Sequence, residues 1–253
     1  MLQNSFKSIH GTFKIIVVYY VYINRRSNWK AIVSGQLSDL KSFGLFDEAD
    51  LYVHVTDPAG IFEDVCTVIS GICSDVFISR SVENAFEYPG IRLVYELANK
   101  RSDTIFIYLH TKGMSYNIQS RNVGEMILLT GTFRDWRRNI EIFRNLSINK
   151  VGLLPAIRSS EEKIPRGKKS GWIWYNFWYA RGTYLMKCGS PEVNTNRWYY
   201  EDWLGDPHNS EELPANDCHS LLPQLNKTYF TAAEASDILA FLREGVWSQI
   251  ITL

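Results

Sequence analysis

Hydrophobic positions fall into short solid runs and longer spaced series that alternate through the first half of the chain. Ile15 to Ile23 is an unbroken β-branched and aromatic run. It is too short for a lone buried helix, so it predicts a strand buried on both faces, as inside a parallel sheet. Asn28 then caps a helix from Trp29 to about Phe43, with Ile32, Val33, Gln36, Leu37 and Leu40 recurring at three- and four-residue spacing and Gly44 closing it. Leu51 to Val55 is a second strand, stopped at Thr56-Asp57-Pro58 because proline cannot donate to a ladder. Val76 to Ser79 predicts a third strand. Pro89-Gly90 predicts a turn, followed by a helix through Leu93, Leu97 and Ala98 and a strand from Thr104 to Leu109.

The second half is less regular. Thr132 begins a helix with Phe133, Trp136, Ile140 and Phe143 inward and Arg134, Arg137, Arg138 and Arg144 outward, and Val151 to Ile157 reads as a strand. Arg158 to Ser170, charged and without an apolar period, reads as a mobile surface loop. An aromatic block, Trp172 to Tyr179, follows, then Arg197 to Gly205, and Thr231-Ala232-Ala233-Glu234 is a capping box opening a last helix. Strands alternating with helices predict an α/β fold. The expected form is a single domain over residues 1–253, with a mostly parallel mixed sheet flanked by helices.

Composition narrows the classes. With 253 residues, 45% hydrophobic, the chain is long enough for a sizeable core and too apolar for a disordered or collagen-like protein. Lys+Arg and Asp+Glu balance at 27 each, so net charge draws the chain neither to nucleic acid nor to an anionic membrane, and any anionic ligand must be held locally. The four cysteines lack zinc-like spacing and read as reduced thiols. Ile15 to Ile23 is under half of the ~20 apolar residues that a membrane-spanning helix needs, and Tyr19, Tyr20 and Tyr22 interrupt it where a signal peptide is aliphatic. The expectation is a cytoplasmic protein without a membrane span.

Motifs for dinucleotide-binding, P-loop, α/β-hydrolase and zincin chemistry are missing. Three features remain. His110-Thr111-Lys112-Gly113 stands at the carboxyl end of an apolar strand, where open α/β sheets bind ligands. Its hydroxyl, lysine and glycine suit a diphosphate, and its imidazole can donate or ligate a metal; the competing reading is a solvated loop. Glu201-Asp202 sit among Trp198, Tyr199, Tyr200 and Trp203, surroundings that raise a carboxylate pKa toward the range of a general base; the competing reading is a helix cap. Trp172, Trp174 and Trp178, with Tyr175, Phe177 and Tyr179, offer flat faces for sugar rings, against the default of core packing.

Taken in order, Tyr108 to Gly113, Asp135-Trp136-Arg137, the aromatic block with Ala180-Arg181, and Arg197 to Gly205 resemble a group of bacterial and large-virus glycosyltransferases of GT-A type, including the small enzymes of chlorella viruses. The resemblance covers Ile15 to about Gly205. It implies a Rossmann-like domain with a nucleotide-sugar donor half (about 13–115) and an acceptor half (about 116–253), acting in the cytoplasm, that of the host if viral. It implies transfer of a hexosyl or pentosyl group from a nucleotide-diphosphate sugar, a UDP-sugar by resemblance, to a hydroxyl of a glycan acceptor. In the inverting form Asp202 or Glu201 is the base. His110, Thr111, Lys112, Gly113, Tyr22 and Asp57 are the donor-binding candidates, and Trp172, Trp174, Trp178 and Trp198 the acceptor-binding ones.

The chain departs from that pattern where most GT-A enzymes carry Asp-x-Asp to hold a divalent metal, Mn or Mg. Here the position reads His110-Thr111-Lys112. Either Lys112 and His110 neutralise the leaving diphosphate, or His110 holds a metal with a carboxylate such as Asp57 or Asp202. Two rival functions stay open: a non-catalytic carbohydrate-binding module built on the aromatic block, and a metal-dependent phosphodiesterase using His110, Asp57 and Asp202.

Overall fold

Residues 15–23 form the axis of the molecule, and their alternation builds its two cores. Ile15, Val17, Tyr19, Val21 and Ile23 face one hydrophobic layer, while Ile16, Val18 and Tyr20 face the other. Side chains on successive strand residues point to opposite faces, so an unbroken apolar run is stable only where helices cover both. The computed structural model describes residues 13–157, 171–205 and 217–246.

The first half alternates without exception: β1 (Lys14–Tyr22), α1 (Trp29–Ser42), β2 (Asp50–Thr56), α2 (Phe62–Ile72), β3 (Val76–Ser81), α3 (Tyr88–Lys100) and β4 (Thr104–His110). Two helices follow, α4 (Val123–Phe133) and α5 (Trp136–Glu141), then β5 (Lys150–Gly152), β6 (Pro155–Ala156), β7 (Trp172–Ile173) and β8 (Trp178–Arg181). The chain ends through α6 (Gly182–Leu185), α7 (Trp198–Asp202), β9 (Cys218–Ser220) and α8 (Ala232–Phe241). The main sheet runs β3-β2-β1-β4-β8-β5-β9, and β6 pairs with β7 apart from it. All pairings in the main sheet are parallel except those of β8, which runs against both β4 and β5. The protein is therefore an α/β domain with a mostly parallel mixed sheet, its helices on both faces, in the Rossmann-like manner.

Strand order reverses between β1 and β4. The connections after β1 run outward through β2 to β3, while β4 lies on the other side of β1. That junction is a topological switch point, where the loops leaving two neighbouring strands diverge and open a crevice at their carboxyl ends.

Local details differ from the sequence expectation for physical reasons. Pro89 and Gly90 are the first turn of α3 rather than a preceding turn, since proline's fixed φ and missing N–H suit a helix start. The helix expected from Thr132 instead begins at Val123, where the Asn122 side chain accepts from the Gly124 amide at 2.7 Å. Thr132 lies in its last turn, and its carbonyl accepts from Asn139 (2.9 Å) and from the Tyr179 hydroxyl (2.8 Å). The expected strand over 151–157 divides at Leu153-Leu154: Pro155 cannot donate to the main ladder, and the chain turns away to pair with β7. The charged segment 158–170 lies outside the described residues. All four cysteines are free thiols. Among the described residues no helix is long and apolar enough to cross a membrane.

Gly90 fixes how closely α3 meets the sheet. A Cβ there would lie 2.6 Å from the Tyr20 Cβ and 2.8 Å from the Tyr108 hydroxyl. Gly90→Ala therefore pushes α3 off β1 and β4. It is expected to cost about 1–3 kcal/mol in urea unfolding, as overpacking of a filled interior does.

Candidate active site

The crevice holds a cavity of about 450 Å³. Its floor comes from the carboxyl ends of β1 and β4, with Tyr20, Tyr22 and His110, and from the loop Thr111-Lys112-Gly113. Glu87, at the amino-terminal cap of α3, Glu125, in α4, and Glu201, in α7, supply its carboxylates; Arg197 and Arg243 approach from the carboxyl-terminal half.

The loop after β4 is tied to the loop after β1. Thr111 continues the strand pairing through its amide to the Tyr20 carbonyl (3.0 Å), and its hydroxyl oxygen accepts from the Tyr22 amide (3.0 Å). The Ser27 hydroxyl and the Asn24 amide group both donate to the Met114 carbonyl, at 2.8 and 3.1 Å. Gly113 takes a left-handed φ of 87°, which reverses the chain without a Cβ penalty. Beneath the loop, Gln36 donates to the His110 carbonyl (3.3 Å) and to Glu125 (3.0 Å), while Arg121 grips both Glu125 oxygens, at 3.1 and 2.9 Å.

His110, Glu87 and Glu201 converge on residues 175 and 176. The His110 Nε2 lies 3.2 Å from the Tyr175 carbonyl, so Nε2 carries the proton and Nδ1 faces Glu87 Oε1 at 3.7 Å. The backbone of Tyr175 also acts on the Glu201 carboxylate, favouring its charged form. Asn176, fully buried, donates to Glu87 Oε2 (3.0 Å) and to the Tyr200 carbonyl (3.0 Å), and accepts from the Trp178 indole (3.2 Å). The Tyr108 hydroxyl also meets Glu87 Oε2, at 3.2 Å.

Burial dominates the electrostatics. It raises the pKa of Glu201 above the ordinary carboxylate value, with Glu87 pushing the same way, while Lys112, His110 and the Tyr175 backbone oppose it. Glu87 is raised by burial too, with Lys112 the largest opposing influence. For His110, burial and then the Lys112 charge push the imidazole down to about 3. Glu201 Oε2 is buried with no hydrogen-bond partner among the described residues. Such an oxygen needs a donor, from a proton or from a ligand. The Lys112 ammonium lies 4.6 Å from the centroid of the Tyr175 ring and forms no ion pair among the described residues.

The cavity gathers His110, Thr111, Lys112, Gly113, Tyr22 and Glu201 from the sequence candidates. Others fall elsewhere. Asp57 is buried below α2, its two oxygens accepting from the amides of Ala59 (3.0 Å) and Ile61 (2.6 Å), so it is a turn and helix-entry cap rather than a donor ligand. Asp202 does not line the cavity, since neighbouring helix positions point about 100° apart and Glu201 takes the inward one. The Thr111 hydroxyl is committed to the β1 backbone, which leaves Lys112 as the side chain of that loop able to meet an anion.

The tryptophans divide likewise. Trp178 is fully buried and stacks on Tyr108 at 5.1 Å, and Trp172 is 7% exposed, so both are core. Trp174 is half-buried and donates to the Phe230 carbonyl at 2.8 Å. Trp198 is 56% exposed beside the rim residue Arg197, whose guanidinium lies 5.0 Å from its ring. The aromatic rings at the mouth of the cavity are instead Phe86 and Tyr116, both exposed. Sequence reasoning also missed Glu87, Asn176 and Arg243. Two signals were present: Glu87 precedes a Pro-marked helix start, and Asn176 is the lone amide inside an aromatic run.

Fold and cavity together define a Rossmann-like α/β protein with a mixed-charge ligand site at the switch point of its sheet. No family model matches the chain, and no curated protein matches it in sequence. Solved structures with a similar course include a 4-diphosphocytidyl-2C-methyl-D-erythritol synthase, at 10% identity and TM-score 0.40 over 91% of this chain and 99% of that one. A second is the 4-diphosphocytidyl-2C-methyl-D-erythritol synthase of Anaerococcus prevotii, at 7% identity and TM-score 0.43 over 91% and 96%. The functional reading therefore rests on the chain's own cavity.

A neutral His110 is a direct consequence of this geometry. In an NMR titration its imidazole signals are expected to stay constant from about pH 8 down to about pH 5, where an exposed histidine changes charge. Because the folded pKa lies below the unfolded one, His110 also draws stability away as pH falls from about 6.5 toward 3. A titration midpoint near 6.5 would contradict the burial and the Tyr175 hydrogen bond.

Proposed function

We propose that the protein is a glycosyltransferase that moves a sugar from a nucleotide-diphosphate donor to a hydroxyl of a glycan acceptor, with inversion at the anomeric carbon. The resemblance noted in the sequence adds a uridine diphosphate sugar as donor. The observation that carries the reading is Glu201: a carboxylate buried in the cavity wall, one oxygen without a partner, in the same cavity as an unpaired lysine.

That pairing suits displacement at an anomeric carbon. The acceptor hydroxyl gives its proton to Glu201 as its oxygen forms the new bond to the anomeric carbon. The bond from that carbon to the diphosphate oxygen breaks, and the diphosphate carries the electron pair away toward Lys112. Burial makes the Glu201 carboxylate a better proton acceptor than an exposed one. Glu87 is less suited to the same task, since Asn176 and Tyr108 both hold its Oε2. Tyr22, at the end of β1, lines the same cavity and in this reading meets the nucleoside. Phe86 and Tyr116 at the mouth, and Trp198 against the rim residue Arg197, offer apolar faces to an acceptor sugar.

The divalent metal of most GT-A enzymes does not fit the described residues of the cavity. Among the described residues no group of three or more His, Cys, Asp or Glu side chains could hold one. Asp57 and Asp202 lie off the cavity, and His110, its Nε2 engaged by the Tyr175 carbonyl, has only Nδ1 to offer, beside Glu87 Oε1 at 3.7 Å.

Release of nucleoside diphosphate from a panel of nucleotide sugars, with and without glycan acceptors, tests the assignment. Glu201→Gln is expected to lower transfer by about 100-fold or more, the usual contribution of a positioned base, while UDP binding persists. Asp202→Asn should keep most of the activity. The acid limb of kcat/KM should fall above 4.5, the ordinary glutamate value, because the base works only once deprotonated. Full activity in Glu201→Gln, or binding of sugars without any nucleotide, would overturn the proposal.

A further inference from the structure

We infer that the cavity holds a diphosphate through side-chain cations, Lys112, Arg243 and Arg197, in place of a divalent metal. This rests on the proposed donor reading and adds to it the means by which the anionic part is bound.

Three cations from three separate elements meet at one cavity. Lys112 comes from the loop after β4, Arg197 from the residue preceding α7, and Arg243 from the turn that follows α8. Among the described residues neither Lys112 nor Arg243 has a carboxylate partner, and Arg197 meets only the Tyr116 hydroxyl, at 3.5 Å, and the Trp198 ring. Cations that a fold leaves unpaired in a concave site are available to a ligand anion, and arginine offers a fork that matches phosphate oxygens.

Two of the three carboxylates that line the cavity, by contrast, are already engaged by the protein. Arg121 and Gln36 occupy Glu125, and Asn176 and Tyr108 hold Glu87 Oε2. That leaves Glu201 with a free buried oxygen, where a metal site needs several carboxylate oxygens that converge.

Calorimetric titration of the full chain with UDP and with inorganic pyrophosphate, in EDTA and then in excess Mn²⁺, tests the inference. Both probes are expected to bind in EDTA. Lys112→Gln and Arg243→Gln should each weaken both by about tenfold or more, the scale of a lost charge-assisted contact, while Lys112→Arg recovers most of the affinity. Circular dichroism shows that each variant is folded. If UDP binds only with Mn²⁺, or if the variants bind as the parent does, the cation cradle is wrong and the donor reading stands. If pyrophosphate binds in EDTA but no nucleotide or nucleotide sugar does, the cradle stands and the donor reading falls. Binding of neither probe under any condition overturns the cradle.

Discussion

The candidate site depends on two residues held in a conformation they do not favour. Tyr175 and Asn176, just before β8, have φ of 70° and 55°, in the left-handed region that non-glycine residues avoid at a cost of about 1–3 kcal/mol each. What they gain is a set of contacts no extended strand could make. The carbonyl of Tyr175 accepts a hydrogen bond from His110, and the Asn176 side chain donates to Glu87 and to the α7 backbone. A hydrogen bond contributes roughly 0.5–1.5 kcal/mol, and one to a carboxylate, such as Asn176 to Glu87, roughly 1.5–3, so together these bonds are of the size needed to offset the strain. Phe86, whose φ is 52°, repeats the device immediately before Glu87. Backbone strain is thus concentrated where the titratable groups meet.

Everything else in the fold brings partners to that pair. The two-faced burial of β1 fixes the register of β4, which places His110 beside Tyr20 at the switch point. Gly90 lets α3 close on both strands, which brings Glu87 over the same spot. The antiparallel entry of β8 presents residues 175 and 176 at the carboxyl ends of the parallel strands, since a strand running the other way begins where its neighbours finish. On the far side of the sheet, Lys150 and Asp217 form a fully buried ion pair at 2.9 Å, with the lysine also donating to the Gly171 carbonyl and the Tyr184 hydroxyl. A buried pair so fully satisfied fixes the β5–β9 register more than it adds stability, because breaking it strands a charge.

Legibility in the sequence follows the range of each interaction. β1, α1, β2 and the capping box at Thr231 rest on local pattern, and they stand within a residue or two of where the pattern puts them. The His110-Thr111-Lys112-Gly113 loop was legible for the same reason: it ends an apolar strand. Asp57 shows the limit. A carboxylate after a strand looks alike whether it faces a ligand or caps two amides of its own turn, and only the path of the next four residues decides. The tryptophans show another limit, since stacking on a sugar and stacking on Tyr108 demand the same flat face. Glu87, Asn176 and Arg243 join the site through contacts of |i−j| near 90 or more, or through a turn past the last helix, and local periodicity has no access to those.

Charge balance couples the two halves of the site. Lys112 is the strongest influence opposing burial at both Glu87 and Glu201, so in the empty cavity it keeps these carboxylates closer to their ionised form. A diphosphate drawn to Lys112 would spend that positive charge on phosphate oxygens and add negative charge of its own. Both changes raise the proton affinity of Glu201, in a cavity where low dielectric magnifies each of them. The carboxylate would then be a weak base while the cavity is empty and a stronger one once a donor is in place, just when an acceptor hydroxyl arrives. His110, held neutral by burial and by the same lysine, stays out of that proton balance and serves to fix Tyr175. In the proposed reaction a chain of zero net charge would in this way bind an anion and activate a hydroxyl, because what matters is the order in which one lysine is shared.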